Sequence, residues 1–151
     1  MKIILLHGPN LNLIGKISSK LNSQITLDKI NTGIKRNIRN TNTDVKIFQT
    51  HKVYQAINFV QRNRNWADGL LFAPMAWALY EYSILDAIKI SGLPTIQLLF
   101  GSKYNNIDEE KSIFTNVATK TIIGSPKKIY IEGIKFLENQ IKKLFIIKWF
   151  I

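Results

Sequence analysis

Five short apolar runs constrain the fold of this chain more than any other feature. They span Lys2 to His7, Asp44 to Gln49, Gly69 to Ala73, Thr95 to Phe100 and Thr119 to Ile123. Each is bounded by Gly, Pro, Asn or a polar cluster, and most are near-continuous Ile, Leu, Val and Phe. That pattern belongs to strands covered on both faces, as in a parallel sheet, rather than to half-exposed strands that alternate. Amphipathic stretches lie between them. Thr26 reads as the N-cap of a helix running to about Arg39, with Leu27, Ile30, Ile34 and Ile38 at three- and four-residue spacing. Lys52 to Asn63 presents Ala56, Phe59 and Val60 on one side, Trp77 to Ile90 predicts a third helix, and Pro126 to Ile147 a last one.

Strands and helices in this alternation imply right-handed crossovers onto one sheet. The predicted architecture is a doubly wound, flavodoxin-like α/β domain, a five-stranded parallel sheet with helices on both faces. Neither repeats nor a Pro/Gly-rich linker divide the chain, so residues 1–151 are expected to form a single unit. Ligands in such sheets bind outside the carboxyl ends of the strands, at the switch point. The loops after Leu6, Gln49, Ala73 and Phe100 therefore matter most.

Composition narrows the function. No stretch approaches the ~20 apolar residues of a membrane span, and the start of the chain is too short for a secretory signal, so a cytoplasmic protein without a membrane partner is expected. Cysteine is absent, which excludes disulfide and thiolate chemistry. The net charge of +11 invites a nucleic-acid reading. Yet 17 Lys stand against 4 Arg, beside 25 Ile and 14 Asn, the mix an AT-biased genome produces. The positive residues are scattered except near Lys35 to Arg39 and Arg62 to Arg64, so nucleic acid is not the expected partner. The apolar end from Leu144 to Ile151 reads as a subunit contact, since a patch of that kind is rarely left exposed.

The first strand is followed by His7-Gly8-Pro9-Asn10-Leu11-Asn12-Leu13-Ile14-Gly15. Asparagines two apart can be turn chemistry or an amide presented as an oxyanion donor. This segment closely resembles the Gly-Pro-Asn-Leu-Asn signature of type II 3-dehydroquinate dehydratases. Thr26-Leu27-Asp28, Phe48-Gln49, Pro74 and Ala76, Asp86-Ala87, Pro94, Val117-Ala118 and Gly124 extend the likeness over essentially the whole chain, with one residue missing between about Asn105 and Lys111.

The resemblance implies trans-dehydration of 3-dehydroquinate to 3-dehydroshikimate through an enolate, without metal or cofactor, in a trimer-based homo-oligomer reaching a dodecamer. In the family a loop tyrosine, activated by an arginine, is the base. An asparagine matching Asn12 holds the enolate, and a histidine steadied by a glutamate protonates the departing hydroxyl. Such chemistry needs an acid and a base of tuned pKa near the two reacting positions.

Most of that apparatus is substituted in this chain. The loop arginine position is Ile17 and the tyrosine position Asn22. The substrate-binding asparagine position is Ala73 and the general-acid histidine position Leu79. Gln97 stands for the glutamate, Leu99 for a substrate histidine, and Glu109 or Glu110 for the carboxylate-gripping arginine. Asn12 survives as the enolate-stabilising candidate, with Asp86 and Asn10 as candidate substrate-binding residues. His7 reads as packed and His51 as solvated or structural. Lys16 and Lys20 read as solvated charges on a mobile loop, and Tyr80 and Glu81 as surface residues near the pocket. The expectation is a dehydratase of weak or lost activity. The alternatives are an inactive structural subunit of the same fold or, further off, a basic RNA-binding module.

Overall fold

The computed structural model describes residues 1–101, 103–104 and 107–151; the expected one-residue gap therefore falls partly outside the described residues. Five parallel strands form one sheet: β1 (Lys2–His7), β2 (Asp44–Gln49), β3 (Gly69–Ala73), β4 (Thr95–Phe100) and β5 (Lys120–Gly124), in the order β2-β1-β3-β4-β5. That is the predicted flavodoxin-like order, with the switch point between β1 and β3. His7 pairs with Gln49 on one side and with Ala73 on the other, so the loops after β1, β2 and β3 emerge together.

Burial explains the apolar runs. Every residue of β3 and β4 is buried, as are all of β1 after Lys2, whereas the edge strand β2 is half exposed. Alternate side chains serve two layers. Ile3, Leu5, Leu71, Ile96, Leu98 and Phe100 pack beneath α2 (Leu27–Ile38) and α5 (Ile129–Phe150). Ile4, Leu6, Leu70 and Phe72 pack beneath α3 (Val53–Asn63) and α4 (Tyr82–Ser91). Thr26 caps α2 as expected, its Oγ1 accepting the Lys29 N–H at 3.2 Å. The two arginine clusters sit at the ends of α2 and α3, hence in opposite layers rather than on one face.

Three local expectations are corrected. The segment read as a mobile loop is a short helix, α1 (Ile14–Lys20), preceded by a 3₁₀ turn at Leu11–Leu13. Leu11, Ile14 and Ser18 are buried, and the Ser18 hydroxyl donates to the Ile25 carbonyl at 2.7 Å, which ties the helix to the body. Lys16 and Lys20 are exposed upon it. The predicted third helix is split into a 3₁₀ turn, Met75–Leu79, and α4. The break falls at Tyr80, whose φ of −153° leaves the helical region, and Trp77 is buried before it. The last helix starts three residues later and ends three residues later than periodicity indicates, and β5 is displaced by one residue.

Gly8 sits where the β1 and β3 loops touch. Its N–H donates to the Ala73 carbonyl at 2.8 Å, and a Cβ placed there would lie 2.7 Å from the Pro74 carbonyl carbon and closer still to its oxygen. Gly8→Ala is therefore expected to cost about 3 kcal/mol, the upper range for overpacking, because the obstacle is backbone. Gly33, inside α2, would meet nothing within 4 Å, so Gly33→Ala should instead stabilise by about 0.5–1 kcal/mol. Urea-unfolding midpoints of the two variants test the contrast.

Candidate active site at the switch point

The carboxyl edge of the sheet collects the sequence-marked loops. Asn10 adopts a left-handed conformation (φ 67°) and opens the 3₁₀ turn that carries Asn12. Its N–H donates to His51 Nδ1 at 3.1 Å, and Gln49 Nε2 donates to the Gly8 carbonyl at 3.2 Å. Asn10 and His51 thus have a backbone role in shaping the turn, while Asn12 is exposed on it. Asp86 lies exposed on α4. Tyr80 and Glu81 are not bonded to each other, and Glu81 accepts from the Ser83 hydroxyl at 2.8 Å.

At the positions that the resemblance marks as substituted, the side chains build structure. Asn22 (φ 54°) follows α1, with its N–H on the Ser19 carbonyl at 3.3 Å and the Ser23 N–H on the Ser18 carbonyl at 2.9 Å. These two bonds form the Schellman helix stop, whose left-handed residue suits Gly or Asn and strains an aromatic. Ala73 and Leu99 are buried, Ile17 is half-buried, and Leu79 is a 49% exposed leucine beyond β3. Glu109 and Glu110 are exposed in a short 3₁₀ turn. Met75, in the position of the resembled motif's glycine, carries a positive φ of 53°.

The surroundings of Gln97 call for an amide at this position. It is fully buried, and Nε2 donates to Thr115 Oγ1 at 3.0 Å and to Thr121 Oγ1 at 2.9 Å, while the Ser112 hydroxyl donates to Oε1. Thr115 spends its own hydroxyl hydrogen on the Glu109 carbonyl at 2.5 Å, so its oxygen needs a donor. An ionised glutamate has none to give. Gln97→Glu should therefore cost about 1–3 kcal/mol in urea unfolding at neutral pH, the penalty of an unsatisfied buried pair.

His7, at the end of β1, faces the α2/α5 layer and is fully buried. Asn31 Oδ1 lies 3.0 Å from Nε2 and the Tyr130 hydroxyl 3.1 Å from Nδ1. A neutral imidazole protonated on Nε2 satisfies both, donating to Asn31 and accepting from Tyr130. Burial lowers the His7 pKa from 6.5 to about 4, and burial likewise pushes the Tyr130 phenol up. Neither is poised to exchange protons with a ligand at neutral pH.

A cleft of about 550 Å³ opens beyond β4 and β5, lined by Leu21, Ser23, Lys103, Tyr104, Gly124 and Ser125 among others. Leu21 and Ser23 flank Asn22, so this cleft adjoins the end of α1. Among the described residues its titratable lining side chains are Lys103 and Tyr104, without a carboxylate or an imidazole. Sequence reading missed both, since a lone Tyr after a lysine carries no motif. No cluster of His, Cys, Asp or Glu suited to a metal occurs among the described residues.

The His7 environment also fixes a pH dependence. Below pH 6.5 the unfolded chain takes up a proton on His7 that the folded chain refuses until about pH 4. The folded state binds fewer protons in that window, so stability is full above it and falls as pH drops through it. Between pH 7 and 5 the loss due to His7 is about 2 kcal/mol. Urea-unfolding free energies at the two pH values should show that slope in the native chain and a flatter one in His7→Gln.

Comparison with known proteins agrees with the geometry. The family model for dehydroquinase class II matches residues 1–138. A 3-dehydroquinate dehydratase of Geotalea daltonii is 30% identical over 144 residues, covering 95% of this chain and 100% of the relative. One from Pelotomaculum thermopropionicum is 32% identical over 125 residues, covering 82% and 87%. The crystal structure of the type II dehydroquinase from Butyrivibrio crossotus superimposes with a TM-score of 0.80 at 27% identity, covering 91% of this chain and 97% of that one. A matching fold, full-length relatives and a family model spanning nearly the whole core agree: the chain belongs to the class II dehydroquinase family.

Proposed function

We propose that this protein is a derived type II 3-dehydroquinate dehydratase whose turnover of 3-dehydroquinate is weak or lost. The observation that carries the reading is the state of the carboxyl edge. Asn12 remains exposed there, but the positions that would supply base, acid, acid-positioning carboxylate and carboxylate clamp hold Asn22, Leu79, Gln97 and Glu109 or Glu110. A leucine transfers no proton, and a glutamate repels the carboxylate an arginine would pair with. Losing one general acid or base typically costs ~10²- to 10⁴-fold in rate, and here both are gone.

The proposed site comprises Asn12 for enolate stabilisation, with Asp86 and Asn10 as further substrate contacts. Assembly into a trimer-based homo-oligomer and a cytoplasmic setting accompany the proposal, as befits a biosynthetic enzyme family. The second reading, an inactive partner subunit of the same fold, draws on the same observation. Here Asn22 and Gln97 have passed from chemistry to structure, as a helix stop and as the centre of a buried hydroxyl network.

Enone absorbance of dehydroshikimate separates the readings. With purified protein at high concentration, residual turnover is expected to survive Leu79→Ala and to vanish in Asn12→Ala, Lys16→Ala or Tyr104→Phe if one of these groups substitutes for the lost ones. A folded protein without turnover establishes the subunit reading. Turnover at the ordinary enzyme rate, on the order of 10 per second, overturns the proposal of lost catalysis.

A further inference from the structure

The family model ends at residue 138, and the last buried side chain of α5 is Leu137. The helix nevertheless continues to Phe150. Along this projecting part Leu144, Phe145, Ile146, Ile147, Trp149, Phe150 and Ile151 are exposed, from 52% at Leu144 to 101% at Ile151. Successive helical residues turn by about 100°, so these side chains cover every side of the helix rather than one stripe. Lys142, Lys143 and Lys148 are the charges among them, and no acidic residue follows Glu138.

We propose that this C-terminal extension of α5 docks the protein on a lipid bilayer with anionic headgroups. A groove on a protein partner takes one apolar stripe of a helix and leaves a polar face outside, and this tip has no polar face. The tail of a second copy would bring the same three lysines and no acidic side chain to meet them. An anionic bilayer supplies the complementary sign to the lysines, apolar depth on all sides of the tip, and the interfacial region that tryptophan favours. No helix among the described residues is long and apolar enough to cross a membrane, and docking of this kind requires none.

Co-sedimentation of the full chain with vesicles of equal parts phosphatidylglycerol and phosphatidylcholine provides the test. The native chain should bind, and more strongly than to pure phosphatidylcholine. The double variant Trp149→Ala, Phe150→Ala should bind at least about tenfold more weakly, with unchanged circular dichroism and thermal midpoint because both residues lie outside the core. Replacing Lys142, Lys143 and Lys148 with Gln should weaken the preference for the anionic vesicles, and a preference left unchanged by it would assign the attraction to the body and overturn the proposal. A native chain that stays in the supernatant overturns the proposal, and so does equal binding by the aromatic double variant, which would assign retention to the charge of the body. Light scattering without lipid adds a third decisive outcome: an assembly that the double variant loses would make a second copy, not a bilayer, the occupant.

Discussion

The close approach of two backbone loops at the switch point governs the rest of the molecule. The Gly8 N–H donates to the Ala73 carbonyl, with no space for a side chain against Pro74. That contact continues the β1–β3 ladder past the last paired residues, His7 and Ala73. It sets the direction in which Asn10 and Asn12 leave β1 and in which Met75 to Leu79 leave β3. A parallel sheet gathers these loops on one edge, and the glycine lets them lie close enough to share a site.

Around that junction polar side chains hold the architecture together. Gln97 anchors Ser112, Thr115 and Thr121, and through Thr115 the Glu109 carbonyl. Asn10 and Asn22 occupy left-handed backbone positions, as does Asn40 after α2. In an asparagine-rich sequence these residues serve where glycine would otherwise be needed. The buried His7–Tyr130–Asn31 group likewise joins β1 to α5 and α2 and takes no part at the edge.

Much of this was legible in the sequence, and the reasons differ by element. The strands are buried on both faces, so β1, β3 and β4 announce themselves as continuous apolar runs of the right length. Thr26 capped α2 as its chemistry demands. The helix at Ile14–Lys20 was overlooked because its two buried residues, Ile14 and Ser18, include a serine that donates to the Ile25 carbonyl seven residues on. The break at Tyr80 was hidden because Trp77 and Ile84 keep a helix-like spacing across it. The substituted positions were found by comparison with a motif. What those residues now do was invisible, because Schellman bonds and hydroxyl orientations are properties of folded backbone rather than of residue type.

Asn22 has one more consequence. A segment whose final turn is already stopped by two hydrogen bonds has surrendered its conformational freedom during folding, and little is left to lose when a small molecule arrives beside it. The two bonds fix the end of α1 beside the cleft lined by Leu21 and Ser23. A group packed against that end meets backbone whose ordering cost was already met in folding, so less conformational entropy remains to be lost there.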